Sequence, residues 1–261
     1  DSRKLKLDIS HKKNTLLLWI NLNRSEGVYT MEVTIHQLLE GAREARGVTV
    51  VIDVFRAYSV ESYAFAQGMK RIYPVGSMDI AYEMKKQHPD YLLCGEREGK
   101  KQEGCDFGNS PFEIAKSDVR GKTMVHTTSA GTQGLENAVH ADVLLAGALV
   151  NARATAEYIK SLKPEHVSLV CMGLACRRPT TEDTFCAEYI RSLLLEEPFD
   201  QQKAIETMRQ TDGRRFFIEA DQSFAPREDF DLCTMFDRFS FALPVQKDES
   251  GLKYIEPVFV P

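Results

Sequence analysis

The sequence predicts an α/β fold, a three-layer α/β/α sandwich with a mostly parallel or mixed sheet. Strand-like runs alternate with helical stretches over most of the 261 residues. The run at residues 48–54, Val-Thr-Val-Val-Ile-Asp-Val, is short and β-branched, as in strands buried on both faces. Such alternation is typical of a sheet covered by helices on both sides.

In the first half of the chain, a helical stretch around residues 38–45 precedes the buried strand at 48–54. A helix at 62–69 leads to a second strand at 71–75, and a helix at 78–87 leads to a strand at 91–94 that ends at Gly95. Each of these strands is shorter than the helix that precedes it, which supports the alternation.

In the second half, we predict strands at 122–127, 142–147 and 166–171, with helices at 131–138, 152–162 and 181–195. Beyond Gln201 the pattern loosens into a polar, turn-rich segment with a short helix around 229–236. Because no clean linker or repeat interrupts the chain, residues 31–261 are expected to form a single domain.

Residues 1–30 differ from the rest of the chain, since they are basic and lack amphipathic periodicity. We interpret them as a non-native or disordered N-terminal extension, with translation starting naturally at Met31. A genuine flexible arm is the alternative.

Composition limits the function classes. The net charge of -5 and pI near 5.8 argue against a nucleic-acid partner. The six cysteines are scattered without a C-x2-C pair, which is typical of reduced thiols. The apolar run at residues 16–20 is too short to span a bilayer. We therefore expect a cytoplasmic protein without a membrane partner, and the sequence leaves a homo-oligomer open.

Asp53 and Arg56 follow the first buried strand. An aspartate at a strand end is a usual metal ligand or phosphoryl nucleophile, although capping of the next helix explains it about equally well. Haloacid-dehalogenase phosphatases need a second aspartate where Phe55 stands, which excludes that class. Arg56 favours a phosphate site, because a guanidinium can fork onto a phosphate beside a metal-bound carboxylate.

The charged loop at residues 95–111 contains four glycines at its turns. A solvated loop is the default interpretation, but the glycines allow turns that bring Glu96, Glu103 and Asp106 towards one point. Hard oxygen ligands of this kind suit Mg²⁺. Further along, the turn at residues 127–132 is rich in hydroxyl groups and opens a helix, so it is a candidate anion cradle, although ordinary capping explains it almost as well.

Residues 170–179, VCMGLACRRP, place Cys171 and Arg177 at the C-x5-R spacing of cysteine phosphatases. The low glycine content and the absence of an Asp-Pro dipeptide argue against that chemistry. We interpret Cys171 as a buried strand-end cysteine, and Arg177 or Arg178 as an anion ligand.

The motifs VVIDVFRAYS, GEREGKKQEGCDFGNSP, TTSAGT and EDTFCAE, in this order, resemble the 2-phosphosulfolactate phosphatase family. The resemblance runs from about Glu32 to the end of the chain. It implies an Mg²⁺-dependent phosphatase with an α/β/α fold, which releases phosphate from 2-phosphosulfolactate in coenzyme M synthesis. The chain departs from the common pattern at Tyr58, where threonine is usual, and at Ala130, where asparagine is usual.

The resemblance and the motifs together give a predicted site for a small anionic phosphoester. The predicted catalytic residues are Asp53, Arg56, Glu103, Asp106, Arg178, Glu182 and Asp183. The predicted substrate-binding residues are Ser59, Arg97, Asn109, Ser110, Thr127, Thr128, Ser129, Gly131, Thr132 and Arg177. The predicted Mg²⁺ ligands are Asp53, Glu96, Asp106 and Asp183. Two alternatives stay open: a cysteine phosphatase using Cys171 and Arg177, and a non-catalytic anion-binding homologue.

Overall fold

A computed structural model describes the backbone of residues 11–12, 15–24 and 27–261, with side chains from residue 31 onward. Residues 1–10, 13–14 and 25–26 of the predicted N-terminal extension lie outside the described residues, so that interpretation stays a prediction. Within the described part, Thr15–Arg24 and Gly27–Gln37 form an antiparallel pair of strands.

The strands are β1 His11–Lys12, β2 Thr15–Arg24, β3 Gly27–Gln37, β4 Gly47–Ile52, β5 Arg71–Pro74, β6 Leu92–Arg97, β7 Lys100–Lys101, β8 Thr123–Thr127, β9 Ala141–Gly147, β10 His166–Cys171, β11 Phe241–Lys247, β12 Lys253–Ile255 and β13 Val258–Phe259. The helices are α1 Leu38–Glu44, α2 Ala57–Ala66, α3 Met78–Gln87, α4 Pro111–Ala115, α5 Gly131–Asn137, α6 Ala152–Leu162, α7 Thr181–Leu195, α8 Gln201–Gln210 and α9 Arg227–Cys233. Single 3-10 turns cover Leu149–Asn151, Asp212–Phe217 and Glu219–Asp221.

The sheet is mixed and is built around two parallel groups. Strands β3, β10, β4 and β9 form one group, and strands β5, β8 and β6 form the other. Between them lie β11 and β12, joined by antiparallel pairings to β9, to each other and to β5. Because these are three antiparallel steps, the two parallel groups run in opposite directions. With helices flanking the sheet, the structure confirms the predicted α/β class.

The centre of the first group is β4, where every residue except Gly47 is buried. Helix α2 is also almost completely enclosed, with residues 57–65 all buried. Its two serine side chains are satisfied by nearby backbone: Ser59 and Ser62 donate to the carbonyls of Val54 and Tyr58 at 2.8 and 2.7 Å. A helix covered on all sides shows no amphipathic stripe, which explains why the sequence placed its start near residue 62 rather than at Ala57.

A buried contact between a glutamate of α2 and a histidine of β8 also holds this helix. Glu61 and His126 of β8 lie 2.9 Å apart, oxygen to ring nitrogen, and neither side chain is exposed. This contact fixes α2 against the second parallel group, so the helix that leaves β4 touches both halves of the sheet. Among the helices that the structure describes, none combines the length and the apolar character needed to cross a membrane.

Gly134 lies where α5 meets the first parallel group. A Cβ at this position would come within 2.5 Å of both the Met172 Sδ and the Val51 Cγ1 atoms. We expect Gly134→Ala to lower the free energy of unfolding by about 1–3 kcal/mol through overpacking, measured by urea denaturation. Gly76→Ala is the matched control, since the nearest atom, at 3.3 Å, belongs to the flexible side chain of Glu136. Equal losses in the two variants would contradict the packing described here.

Candidate active site

The candidate site lies at the carboxyl end of β4, where Asp53 follows the strand. Asp53 is buried, and its Oδ1 atom accepts a hydrogen bond from the Ala57 N–H at 3.2 Å. Asp183, in the first turn of α7, accepts the N–H of Val54 at 2.9 Å and the N–H of Gly173 at 2.7 Å, one on each oxygen. Asp183 thus ties the segment after β4 to the segment after β10 and holds its carboxyl group near Asp53.

Glu182 completes a cluster of three buried carboxyl groups, which we call the acidic cluster: Asp53, Glu182 and Asp183. Burial, with a smaller contribution from Glu96, raises the pKa of Asp53 to about 6. Burial also raises the pKa of Glu182 to about 7, although the Arg215 guanidinium opposes the shift. For Asp183, burial and then its two neighbours raise the pKa well above its usual range. Near neutral pH the cluster therefore needs a proton or a cation to offset its charge.

Glu96 joins the second parallel group to this site. It is buried, and its Oε1 atom accepts the Ser129 N–H at 2.6 Å while its Oε2 atom accepts the Gly99 N–H at 2.7 Å. Gly99 and Glu98 both have positive φ angles in the two-residue turn between β6 and β7, the turn type that favours glycine. Glu96 is therefore fixed by backbone groups on both oxygens, close enough to Asp53 to raise its pKa.

The loop at residues 127–132 faces the acidic cluster, but its N–H groups are occupied. The N–H groups of Thr128 and Thr132 donate to each other's hydroxyl oxygens at 3.1 and 3.3 Å, and that of Ser129 donates to Glu96. The Gly131 N–H donates to Asp53. The loop consequently does not offer these groups as the free anion cradle that the sequence suggested. Gly131 is required here, since a Cβ would lie 2.9 Å from the Asp53 Oδ2 atom.

Tyr58, one of the two departures from the family pattern, supports this loop. The ring is fully buried and its hydroxyl donates to the Gly131 carbonyl at 2.7 Å. The bulky side chain therefore packs beneath the loop instead of projecting into open space.

Arg56 has a different role from the predicted one. The side chain is buried, and its Nη1 atom lies 2.7 Å from both the Asp229 carboxylate and the Phe224 carbonyl. Its Nη2 atom donates to the Gly99 carbonyl at 3.0 Å. The predicted phosphate ligand is thus a buried clamp that joins α2, the β6–β7 turn and α9.

The two arginines of the segment at residues 170–179 form no ion pair with the acidic cluster. Arg178 forms an ion pair with Asp212 at 2.7 Å, with 57% of its side chain exposed. Arg177 is exposed. The prediction that one of them neutralises charge at the reacting centre is therefore not supported by their placement.

Two other guanidinium groups do lie near the acidic residues. Arg97 donates to the Glu96 carbonyl at 2.6 Å and to the Thr127 hydroxyl at 3.2 Å. Arg215 donates to the Phe55 carbonyl at 2.8 Å. Its positive charge partly opposes the burial that raises the pKa values of Asp53 and Glu182. Arg97 was predicted, whereas Arg215 was missed because it belongs to the loosely patterned segment after Gln201. The Gly-Arg-Arg-Phe-Phe run at residues 213–217 was its sequence signal.

Glu103 and Asp106 are not part of the acidic cluster. Both are exposed. Asp106 accepts the Leu93 N–H at 2.8 Å and pairs with Lys85 at 3.3 Å, which fixes it beside α3 rather than beside Asp53. The glycines of the loop do allow tight turns, but they turn these two side chains towards solvent. The structure therefore does not bring Glu103 or Asp106 to the acidic cluster, and the predicted catalytic role of both and the predicted Mg²⁺-ligand role of Asp106 stay predictions.

Ser59, Asn109 and Ser110, predicted to bind substrate, are buried. Ser59, in the first turn of α2, donates to the Val54 carbonyl that precedes the helix, as described above. Ser110 donates to the Asp229 Oδ1 atom at 2.7 Å and so supports the Arg56 clamp. The Asn109 side-chain oxygen has no partner among the described residues. The two serines are therefore structural supports.

The cysteine alternative depends on Cys171, which is completely buried. Its thiol donates to the Asp183 carbonyl at 3.3 Å, and burial raises the pKa of the thiol well above its usual range. A nucleophilic cysteine needs a low pKa and access to substrate, so Cys171 fits the structural interpretation. Cys176 is nearer the site, with its sulfur 3.7 Å from the Ser129 carbonyl, but its pKa is also raised, to about 11.

A divalent cation fits the acidic cluster. The Glu182 Oε2 atom is buried and has no hydrogen-bond partner among the described residues, and the three carboxyl groups repel one another. Within the described residues, no group of three or more His, Cys, Asp or Glu side chains is placed to hold a metal ion. Mg²⁺ needs only one or two carboxylates, because water and substrate phosphate supply its other ligands. The four predicted Mg²⁺ ligands do not form one group. Two of them, Asp53 and Asp183, lie together in the acidic cluster.

Comparison with known proteins identifies the family. The family model described as 2-phosphosulpholactate phosphatase matches residues 33–248. The chain belongs to this family. The match includes the acidic cluster and both Arg97 and Arg215, and it confirms the resemblance seen in the sequence motifs.

The similar proteins carry the same family description. A probable 2-phosphosulfolactate phosphatase of Bacillus subtilis is 30% identical over 221 residues, which cover 84% of this chain and 95% of the relative. One of Thermotoga petrophila is 33% identical over 198 residues, 73% of this chain and 85% of the relative. One of Carboxydothermus hydrogenoformans is 42% identical over 148 residues, 57% and 60% of the two chains.

The buried Arg56–Asp229 ion pair is expected to contribute to the stability of the fold. Burial raises the pKa of Asp229 although Arg56 opposes the shift, so the pair only partly offsets its own desolvation. Asp229→Ala would leave Arg56 buried without a carboxylate, and we expect it to lower the free energy of unfolding by about 3–5 kcal/mol. Glu40→Ala, which breaks an exposed pair with Arg43, is expected to change it by less than about 0.5 kcal/mol. Urea denaturation tests both variants, and a small loss in Asp229→Ala would rule out the clamp.

The raised pKa of Glu182 predicts that the stability of the protein depends on pH. Because its folded pKa of about 7 is above the ordinary value of 4.5, the folded state binds the extra proton, and stability falls as pH rises between these values. In the presence of EDTA, we expect Glu182→Gln to be more stable than the wild type by about 1–3 kcal/mol at pH 8. At pH 4 the two should be equally stable. Thermal unfolding across this range decides the matter, and a constant difference at both pH values would contradict the assigned pKa.

Proposed function

We propose that the protein is an Mg²⁺-dependent phosphatase that hydrolyses 2-phosphosulfolactate to sulfolactate and phosphate, a reaction of coenzyme M biosynthesis. Membership of the family supports the substrate, and relatives with this printed activity align over most of the chain. The observation that carries the proposal is the acidic cluster, in which burial raises the pKa of each carboxyl group, with the Arg215 guanidinium near Asp53 and Glu182. Arg97 lies beside Glu96 and Thr127.

Asp53 and Asp183 are the residues that would hold Mg²⁺. When bound, Mg²⁺ would polarise the phosphoryl group and offset the negative charge that develops on it. The carboxyl groups are already oriented, because Asp53 accepts from the Ala57 N–H and Asp183 accepts from two further backbone N–H groups. This fixed orientation avoids the reorganisation that a flexible site would require.

Glu182 is the candidate for proton transfer. The Oε2 atom is free of hydrogen bonds among the described residues, and a pKa of about 7 lies near the value at which a carboxylate works best as a general base in neutral solution. In the proposed reaction this oxygen takes a proton from the attacking water. The arginines bind the anionic substrate, because a negative cluster alone would repel a phosphate.

Phosphate release with 2-phosphosulfolactate tests the proposal. We expect activity with Mg²⁺, loss of activity with EDTA and recovery on adding Mg²⁺ back. Asp53→Asn should lower kcat by about 100-fold or more, since it removes a charged ligand at the reacting centre. Asp142→Asn, at the exposed amino end of β9, should keep full activity. Undiminished turnover in EDTA, or in Asp53→Asn, would overturn the metal-dependent mechanism.

The same assay separates the cysteine alternative. Cys171→Ala should retain activity, because the side chain is buried and its thiol stays protonated. Alkylation is a poorer test, since a reagent on half-buried Cys176 would obstruct the site without any cysteine chemistry. Complete inactivity of Cys171→Ala, with a normal unfolding profile, would favour the cysteine mechanism.

A further inference from the structure

Arg97 and Arg215 differ from Arg56 and Arg178 in having no carboxylate within ion-pair distance among the described residues. Arg56 is paired with Asp229, and Arg178 is paired with Asp212. In the described part of the chain, neither Arg97 nor Arg215 forms an ion pair with a carboxylate. Both are held in place by backbone carbonyls instead. A guanidinium that is positioned but unpaired is suited to bind an anion from outside the protein.

Arg215 approaches the acidic cluster from the 3-10 turn at Asp212–Phe217. Its donation to the Phe55 carbonyl, at 2.8 Å, anchors it two residues from Asp53. Its guanidinium carbon also lies 5.1 Å from the Phe216 ring centroid and 5.9 Å from that of Phe55, so two aromatic rings restrict its orientation. This arginine therefore lies on the side of the site that contains Asp53 and the rest of the acidic cluster.

Arg97 approaches from the β6–β7 turn. It contacts the Thr127 hydroxyl at 3.2 Å and the carbonyl of Glu96. Both carboxylate oxygens of Glu96 already accept backbone N–H groups, from Ser129 and Gly99. This side of the site therefore offers a cation and a hydroxyl group but no carboxylate oxygen free to take a proton. Its chemistry is suited to recognition rather than to reaction.

We propose that the two arginines divide the anionic groups of one substrate. Arg215 is a catalytic residue that binds the phosphoryl group undergoing transfer, and Arg97 is the specificity-determining residue that binds a second, non-reacting anion, a sulfonate or a carboxylate. This inference rests on the proposed function, because it requires a phosphoester with at least two separated negative groups.

The experiment compares three phosphoesters: 2-phosphosulfolactate, its analogue without the sulfonate and its analogue without the carboxylate. Arg97→Gln should raise KM for the full substrate by about tenfold or more and change kcat little, which corresponds to losing one charged hydrogen bond. With the analogue that lacks the anion bound by Arg97, the same variant should behave like the wild type. The analogue with which Arg97→Gln matches the wild type therefore shows whether Arg97 binds the sulfonate or the carboxylate.

Arg215→Gln should instead lower kcat by about 100-fold with all three substrates. Arg214→Gln, its exposed neighbour, is the matched control and should behave like the wild type. Added guanidinium should restore part of the kcat of Arg215→Ala, a rescue that a purely structural role would not show. If Arg215→Gln fails to fold, Arg215→Lys is used in its place. Lysine keeps the positive charge but lacks the bidentate N–H donors of the guanidinium, so this variant should show a smaller loss of kcat.

The outcomes separate the two proposals. If the wild type releases no phosphate from any of the three compounds, the proposed function fails. If the wild type is active but Arg97→Gln lowers kcat equally with every substrate, or the Arg215 variants alter KM alone, the division of roles is overturned while the phosphatase activity stands.

Discussion

The site depends on the placement of the Asp183 carboxyl group, which accepts the N–H groups of Val54 and Gly173 at the ends of two neighbouring strands. These hydrogen bonds keep an acidic side chain buried beside Asp53 and Glu182, where desolvation and repulsion raise the pKa of each. Such an arrangement lowers stability when the groups ionise, and proteins tolerate such groups mainly where they serve a function. The unpaired Arg97 and Arg215, and the hydrogen-bonded loop over the cluster, fit the same picture of a site prepared for a charged ligand.

The architecture explains how distant segments of the chain reach this cluster. The parallel groups run in opposite directions, yet Glu96 near the carboxyl end of β6 and Gly131 after β8 both interact with Asp53 after β4. The carboxyl ends of the two groups therefore meet at the site. The buried Glu61–His126 contact and the Arg56–Asp229 pair hold this arrangement, because each joins α2 to an element of another part of the fold.

Much of the alternation was predictable, because buried strands and longer helices leave strong local patterns. The helices at Met78–Gln87, Ala152–Leu162 and Thr181–Leu195 were predicted with their observed bounds. Helix Gln201–Gln210 and strand Phe241–Lys247 were missed, and with them the hairpin that reverses the second parallel group. At the site, the sequence identified Asp53, Glu182 and Asp183 but not the burial of Arg56 against Asp229, since that contact joins residues far apart in the chain. Arg215 was missed because it belongs to the loosely patterned segment after Gln201, and Glu103 and Asp106 were included because a glycine-rich loop does not reveal which way its side chains turn.

The central claim is that the acidic cluster shares protons until a divalent cation replaces them. Isothermal titration of Mg²⁺ at pH 6.5, repeated in buffers of different ionisation enthalpy, counts the protons released on binding. The account predicts a release of roughly one proton per ion, because carboxyl groups must be deprotonated to act as ligands. It also predicts that Asp183→Asn weakens binding and reduces that release. Tight binding with no proton release, unchanged in Asp183→Asn, would show that the cation binds elsewhere and would contradict the account.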